Sequence, residues 1–375
     1  MINTSNKKYK VFLIIPVYKN KTHNLNQFYF KDNLSNRCLE TTNLVLSLNS
    51  SIVTTLKFNI NIINSAFLFS NFALDKIKHH IEKIKIDLII VDTNLSPIQQ
   101  RNLEKLWSVK VLDRTALILE IFGARAATKE GSLQVELAHI TWQKTRLVRS
   151  WTHLERQRGG RGFLGGPGEL QIELDKRHIT SRIKIIKKEL EKVRKTRELQ
   201  RNKRKKLYPI VSLIGYTNSG KSTLFNKITG AKEFTKNMVF ATLDPKHRIV
   251  SLSRENNFIL SDTVGFISNL PTELIESFKS TLDEILYADL IIHVRDISHE
   301  DFDSQNDDVL SVIREIFGYD KNQIPQNYIE VINKVDKVKP EIKNIINSKN
   351  KIYLSALTGL GISELKTTIK KLIKN

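Results

Sequence analysis

Over the first 122 residues, short apolar runs alternate with polar stretches of helical period. Residues 11–17, 60–63 and 87–91 read as buried strands, residues 109–112 as a further strand, and residues 76–85 as a helix between two of them. Strands separated by helices predict an α/β unit with some parallel pairing. Its first glycine is Gly123, so this region has no glycine-rich turn able to hold a phosphate.

The period changes at Ser132. Leu133, Leu137, Ile140, Leu147, Trp151 and Leu154 form one helical seam, with Lys144 at the skipped position, and Ile179, Ile183, Ile186, Leu190 and Val193 form a second. Between them lies GGRGFLGGPGE, residues 159–169, with six glycines and Pro167. Two amphipathic helices around a non-helical loop predict an antiparallel hairpin. The second helix continues into KTRELQRNKRKK up to Lys206, a run that reads as readily as a solvated face or linker as a polyanion contact.

From Leu207 onward, apolar runs at 209–214, 258–260, 290–294, 328–332 and 351–354 alternate with helical patterns such as 273–286 and 362–373. That alternation predicts a doubly wound, mostly parallel sheet. The expected organisation is an N-terminal α/β domain (1–130), a basic helical hairpin (131–206) and a C-terminal α/β domain (207–375).

Charge sharpens this division. The chain has 375 residues, 60 Lys+Arg and 39 Asp+Glu, a net +21. Residues 1–140 hold 18 basic and 11 acidic side chains, residues 141–206 hold 21 and 7, and residues 207–375 hold 21 and 21. Two thirds of the excess therefore falls on the hairpin, which favours a local polyanion-binding element over a generally basic protein. Cys38 is the only cysteine, so an intramolecular disulfide and a multi-cysteine zinc site are excluded. No apolar run approaches the roughly 20 residues that span a bilayer. No small-residue cleavage site follows the first apolar run, and the expectation is a cytoplasmic monomer without a membrane span.

The chemistry is concentrated after residue 207. Gly215, Tyr216, Thr217, Asn218, Ser219, Gly220, Lys221 and Ser222 match G-x-x-x-x-G-K-[ST] between a strand (IVSLI) and a helix opened by Thr223. Such a loop turns successive N–H groups toward phosphates at a positive helix N-terminus. Lys221 is expected at the β/γ-phosphates and the Ser222 hydroxyl on Mg²⁺. Asn333-Lys334-Val-Asp336 follows the strand YIEVI. A carboxylate there accepts from guanine N1–H and its exocyclic amine, which adenine cannot supply. Asn333 and Lys334 would tie this loop to the P-loop and pack over the base. Ser355, Ala356 and Leu357 sit where a backbone N–H can meet guanine O6.

Asp262, Thr263, Val264 and Gly265 follow the strand FIL: Asp262 would hold Mg²⁺ through water and the Gly265 N–H would sense the γ-phosphate. Phe240, Ala241 and Thr242 open FATLDP, in which Thr242 can bring its hydroxyl to Mg²⁺ and its N–H to the γ-phosphate; Thr235 competes for that role. Lys221, Thr242 and Gly265 are the expected catalytic groups. Phe266 stands where Ras-like enzymes place the glutamine that orients the attacking water, which predicts slow intrinsic GTP hydrolysis, either accelerated by a partner or with the water positioned by another residue.

The hairpin loop also contains a formal G-x-G-x-x-G from Gly160 to Gly165, but a helix precedes it and no βαβ unit surrounds it. It reads as a plain flexible connection or, somewhat better, as a tip for a sugar-phosphate surface: Gly162, Gly165 and Gly166 permit close approach, Arg156, Arg158 and Arg161 supply charge, and Phe163 a stacking ring.

From residue 87 to the end the sequence resembles the HflX family of translational GTPases. The resemblance is carried by LSPIQQRNLE (95–104), VLDRTALILEIFGARAATKEGSLQVELA (111–138), TRLVRSWTHLERQRGGRGFLGGPGELQIE (145–173), GYTNSGKSTLFN (215–226), FATLDP (240–245), DTVGFI (262–267) and SALTG (355–359). It implies a Mg²⁺-dependent GTP/GDP-binding enzyme, stimulated by the ribosome, that binds the large ribosomal subunit and its rRNA. It further implies a hairpin reaching toward the peptidyl-transferase region and, in some members, splitting of stalled 70S ribosomes. A 50S assembly or quality-control role without splitting, and a passive RNA-binding protein with a vestigial nucleotide site, are the alternatives. Leu170 stands where the family carries a threonine, and residues 1–86 match poorly.

Overall fold

The computed structural model describes residues 8–18, 34–157, 167–231, 239–240, 242–253, 256–268, 270–271, 274, 277–320, 323–338 and 351–373, with side chains left aside at 148–157, 167–172, 202, 204–206 and 279–281. The chain forms two compact units, Met1–Ala124 with Leu133–Glu189, and Arg125–Ser132 with Leu190–Asn375.

In the first unit, strand β1 (Tyr9–Tyr18) carries an unbroken run, Val11 to Ile15, that is wholly buried, as a strand covered on both faces must be. It pairs in parallel with β2 (Ser50–Ile60) on one side and β3 (Leu88–Val91) on the other, and β4 (Lys110–Asp113) pairs in parallel with β3. Helices α1 (Leu34–Leu46), α2 (Asn71–Lys83) and α3 (Pro97–Trp107) connect these strands, and α4 (Arg114–Arg125) follows the last. The core gathers Phe12, Ile14, Phe69, Ile77, Ile89, Leu103 and Trp107.

One strand corrects the sequence reading: β2 ends at Ile60 instead of beginning there. It is an edge strand whose residues alternate between half-buried and exposed, and its threonines and Lys57 conceal it from a search for apolar runs. α2 likewise starts earlier than the predicted 76–85, at Asn71, because Ser70 caps it by accepting the Ala73 N–H.

The carboxyl ends of this sheet are filled by the protein's own charges. Asp92, fully buried after β3, accepts from Arg37 Nε at 2.6 Å and from Arg114 Nη1 at 2.8 Å, and Arg114 also pairs with Glu40. Burial alone would push the Asp92 carboxyl up, but the two guanidiniums outweigh it and hold the group below the usual carboxylate range.

Helices α5 (Lys129–Gln157) and α6 (Pro167–Leu207) run through both units. Pro167 begins α6, within the predicted loop 159–169, because proline suits the first helical position, where no N–H is required. Residues 158–166, the predicted tip, lie outside the described residues. In the first unit Leu133, Leu137 and Ile186 of the two seams are buried, and Arg182 pairs with Glu136 at 2.6 Å. In the second, Arg197 pairs with Glu130 at 2.7 Å.

The second unit holds a six-stranded sheet in the order β10-β9-β8-β5-β7-β6. Its strands are β5 (Ile210–Ile214), β6 (Lys246–Ser253), β7 (Asn256–Asp262), β8 (Leu290–Asp296), β9 (Tyr328–Asn333) and β10 (Lys351–Tyr353). All neighbours are parallel except β6 against β7. The antiparallel β6 has no counterpart in the sequence reading. Its helices are α7 (Lys221–Thr229), α8 (Lys279–Leu286), α9 (Phe302–Phe317) and α10 (Ile362–Ile373). Val211, Leu213, Phe225, Phe258, Leu260, Ile292 and Leu365 lie in the core. β5 is central: after it the chain adds β6 and β7 on one side and then β8 on the other. The crevice at this reversal of strand order is where ligands bind in such folds.

Within this unit, α6 meets acidic partners. Arg194 lies 3.2 Å from Asp283, and Arg201 lies 3.6 Å from Glu284 and 4.1 Å over the Tyr287 ring, Glu284 and Arg201 both being buried. In the first unit Arg146 is bound by Asp113 at 2.9 Å. A share of the hairpin's positive excess is thus neutralised internally, which the residue count could not reveal.

Candidate nucleotide-binding site

The site forms where β5, β7 and β9 end. β5 delivers the chain into a loop that two glycines make possible. Gly215 has φ +145° and a Cβ there would lie 2.2 Å from the Val294 carbonyl; Gly220 has φ +97° and its Cβ would lie 2.2 Å from Asn333 Nδ2. α7 begins immediately after, at Lys221, so its positive end faces the loop. Lys221 is buried, and its Nζ donates to the carbonyls of Gly215 at 3.1 Å and Tyr216 at 2.8 Å.

Three oxygens converge beside it. Ser222 Oγ donates to Asp262 Oδ2 at 2.7 Å, Thr242 Oγ1 donates to the same oxygen at 2.9 Å, and the two hydroxyls are 3.1 Å apart. The second Asp262 oxygen is buried with no partner among the described residues. Burial pushes the Lys221 ammonium down to about 8 despite the pull of Asp262, and burial pushes the Asp262 carboxyl up despite Lys221 and the two hydroxyls. Each group is short of a counter-charge: the lysine of an anion, the carboxylate of a cation. A hard, oxygen-preferring cation such as Mg²⁺ fits this donor set.

The base side is equally tied together. Asn333 Nδ2 donates to the Ser219 carbonyl at 2.8 Å, and its Oδ1 accepts the Ala356 N–H at 2.9 Å. Lys334, at φ +64°, donates through Nζ to the Asn218 carbonyl at 2.8 Å and to Asp296 at 2.6 Å. Asp336 is exposed in a short 3-10 turn (Val335–Lys337), and Leu357 is exposed beside buried Ser355 and Ala356. One side chain buttresses three loops.

Thr263 is buried and donates to the Leu213 carbonyl at 2.7 Å, which leads the 262–265 segment over the P-loop. A Cβ on Gly265 would come within 3.0 Å of Lys221 Nζ. Phe266 is buried, and its backbone bridges the P-loop: its N–H donates to the Gly215 carbonyl at 3.1 Å and its carbonyl accepts the Thr217 N–H at 2.6 Å. Tyr216 reinforces this bridge, since its hydroxyl accepts the Ser268 N–H at 2.6 Å and bonds the Ser268 hydroxyl. That clasp and Asp296 escaped the sequence reading. The tyrosine occupies a variable motif position, and Asp296 sits at the end of an apolar strand where only its register against Asn333 marks it.

Of the remaining expected residues, Thr223 lies in the first turn of α7, and Val264 and Phe240 are buried. Ala241, Thr235, Arg158, Arg161, Gly162, Phe163, Gly165 and Gly166 lie outside the described residues, as does the side chain of Arg156.

Three family descriptions match successive parts of the chain: "GTP-binding GTPase N-terminal" at residues 35–123, "GTP-binding GTPase Middle Region" at 125–204 and "50S ribosome-binding GTPase" at 210–334. The family likeness thus begins well before residue 87, where the sequence reading placed its start. GTPase HflX of Magnetococcus marinus is 46% identical over 314 residues, covering 82% of this chain and 71% of that protein. GTPase HflX of Escherichia coli is 47% identical over 283 residues, covering 74% and 65%. A GTP-binding protein, SsGBP, solved with GDP, matches 98% of each chain with a TM-score of 0.52 at 22% identity, a likeness of fold. The chain belongs to the HflX family of GTPases, which hydrolyse GTP.

Proposed function

We propose that this GTPase binds the large ribosomal subunit in its GTP state and so splits or rescues stalled 70S ribosomes. The observation that supports it most is the convergence of Ser222 and Thr242 on Asp262 Oδ2 beside Lys221. Those residues come from the P-loop, the FATLDP segment and the end of β7, so one bound nucleotide can order all three. Gly215 to Thr223 cradle the phosphates, Phe240 to Thr242 and Asp262 to Gly265 respond to the third phosphate, and Asn333, Lys334, Asp336, Ser355, Ala356 and Leu357 hold guanine. Ser222 and Thr242, with Asp262 beside them, would hold Mg²⁺, which when bound would neutralise charge on the phosphates. Lys221, Thr242 and the Gly265 N–H stabilise charge that grows on the transferred group.

The family description "50S ribosome-binding GTPase" supports the choice of partner. Arg156, Arg158, Arg161, Gly162, Phe163, Gly165 and Gly166 are the rRNA contacts, and the protein acts as a cytoplasmic monomer. Hydrolysis is slow until the ribosome stimulates it, because Phe266 has no group with which to orient water.

Light scattering of 70S particles tests this. GTP-dependent loss of scattering that disappears in Lys221→Ala is the expected result. GTP-dependent 50S binding without loss of scattering would make the protein an assembly or quality-control factor. Binding indifferent to both nucleotide and substitution would overturn the switch altogether.

A further inference from the structure

We propose that Asp244 is a positioning residue that fastens the Thr242 segment to the N-terminus of α5, so that the third phosphate of GTP and the seating of α5 are energetically linked. This rests on the reading of Thr242 as a residue that responds to GTP.

The segment has little slack. Thr242 is held at one end on the Asp262 carboxylate, and at the other end Lys246 pairs with Asp262 in the β6–β7 ladder. Pro245 restricts the intervening Asp244 to extended backbone. Only three residues thus separate two attachments to the same aspartate, buried Leu243 among them.

The Asp244 carboxylate points to the start of α5. One oxygen accepts the N–H groups of Ala127 at 3.3 Å and Thr128 at 3.2 Å, and the other accepts the Thr128 hydroxyl at 2.5 Å. Thr128 Oγ1 meanwhile accepts the Gly131 N–H at 3.0 Å, so the helix already carries its own cap. Asp244 is therefore surplus to capping; it adds a charge at the positive helix end and a tether to the nucleotide loop. Gly131 leaves the room, since a Cβ there would stand 2.8 Å from Asp244 Oδ1. In the same turn of α5, buried Glu130 pairs with Arg197 of α6, so the tether reaches the root of both long helices.

Linkage makes such a tether reciprocal: whatever GTP gains by fixing Thr242, a seated α5 returns as GTP affinity. It discriminates between nucleotides because GDP lacks the phosphate that Thr242 would answer.

The test compares affinities of the full chain for a non-hydrolysable GTP analogue and for GDP, both with Mg²⁺. Asp244→Asn, Thr128→Val and Gly131→Ala should each weaken the analogue at least about fivefold and leave GDP within about twofold. Thr128→Ser, which keeps the hydroxyl, should retain wild-type affinity. The double variant Asp244→Asn/Thr128→Val should lose clearly less than the sum of the two single losses, because both act on the same tether. Gly131→Ala displaces the carboxylate while adding a better helix former, so a general loss of stability cannot imitate its effect. Equal losses for the two nucleotides, no loss for either, or additive losses in the double variant would overturn the proposal. Thr242→Ala is the separate control: if it leaves the analogue's affinity unchanged, the reading of Thr242 fails by itself, whatever Asp244 does.

Discussion

Phe266 shows most directly what one side chain can decide. It follows the 262–265 segment, and it is buried with its backbone bonded on both sides to the P-loop. Installing glutamine there would bury an amide without partners, at a cost of about 1–3 kcal/mol. Phe266→Gln should therefore lower stability by that order in denaturant titrations and leave basal turnover well below about 1 s⁻¹. A tenfold rise in basal turnover would show that the side chain can reach the attacking water. The missing glutamine was legible in the sequence because the motif numbers its own positions. The Tyr216–Ser268 clasp that holds the replacement was not, since both residues are ordinary types whose pairing arises only when the loops fold together.

At the scale of elements, what the sequence showed depended on how the elements are buried. β1, β3 and β8 are dense apolar runs, legible in the sequence to within two residues. The half-exposed edge strand β2 was set too late, and the antiparallel edge strand β6 was passed over, because alternation with Thr, Lys, His and Ser leaves no run to detect. The basic run at the end of α6 was the hardest to read, because charge counts do not distinguish solvated from paired residues. Arg201 is buried against Glu284 and stacked on Tyr287, whereas Lys195, in an i,i+4 pair with Glu191 at 3.7 Å, is exposed. Arg201→Ala should cost about 3 kcal/mol by leaving a buried carboxylate uncompensated. Lys195→Ala should cost less than about 0.5 kcal/mol. Equal small costs in urea titrations would mean that the root of α6 is a solvated linker after all.

At the scale of the whole molecule, the uneven charge keeps its meaning in altered form. The +21 is concentrated on the hairpin region, but Arg146, Arg194, Arg197 and Arg201 serve the protein's own acids. Fewer of the hairpin region's arginines and lysines are therefore left for a polyanion than the residue count implies. The fixed spacings of the motifs let the sequence bring Lys221, Ser222, Thr242 and Asp262, and Asn333 with the P-loop, to one place, where the structure also gathers them. The link from nucleotide to helices was not readable, because Asp244 and Thr128 stand 116 positions apart. The central claim is that nucleotide state sets affinity for the large subunit. Co-sedimentation with 50S subunits tests it most directly, using the wild-type chain and Lys221→Ala with a non-hydrolysable GTP analogue or GDP. Wild-type protein is expected in the 50S pellet with the analogue, little with GDP, and little of the variant with either. Equal pelleting in all four samples would contradict it.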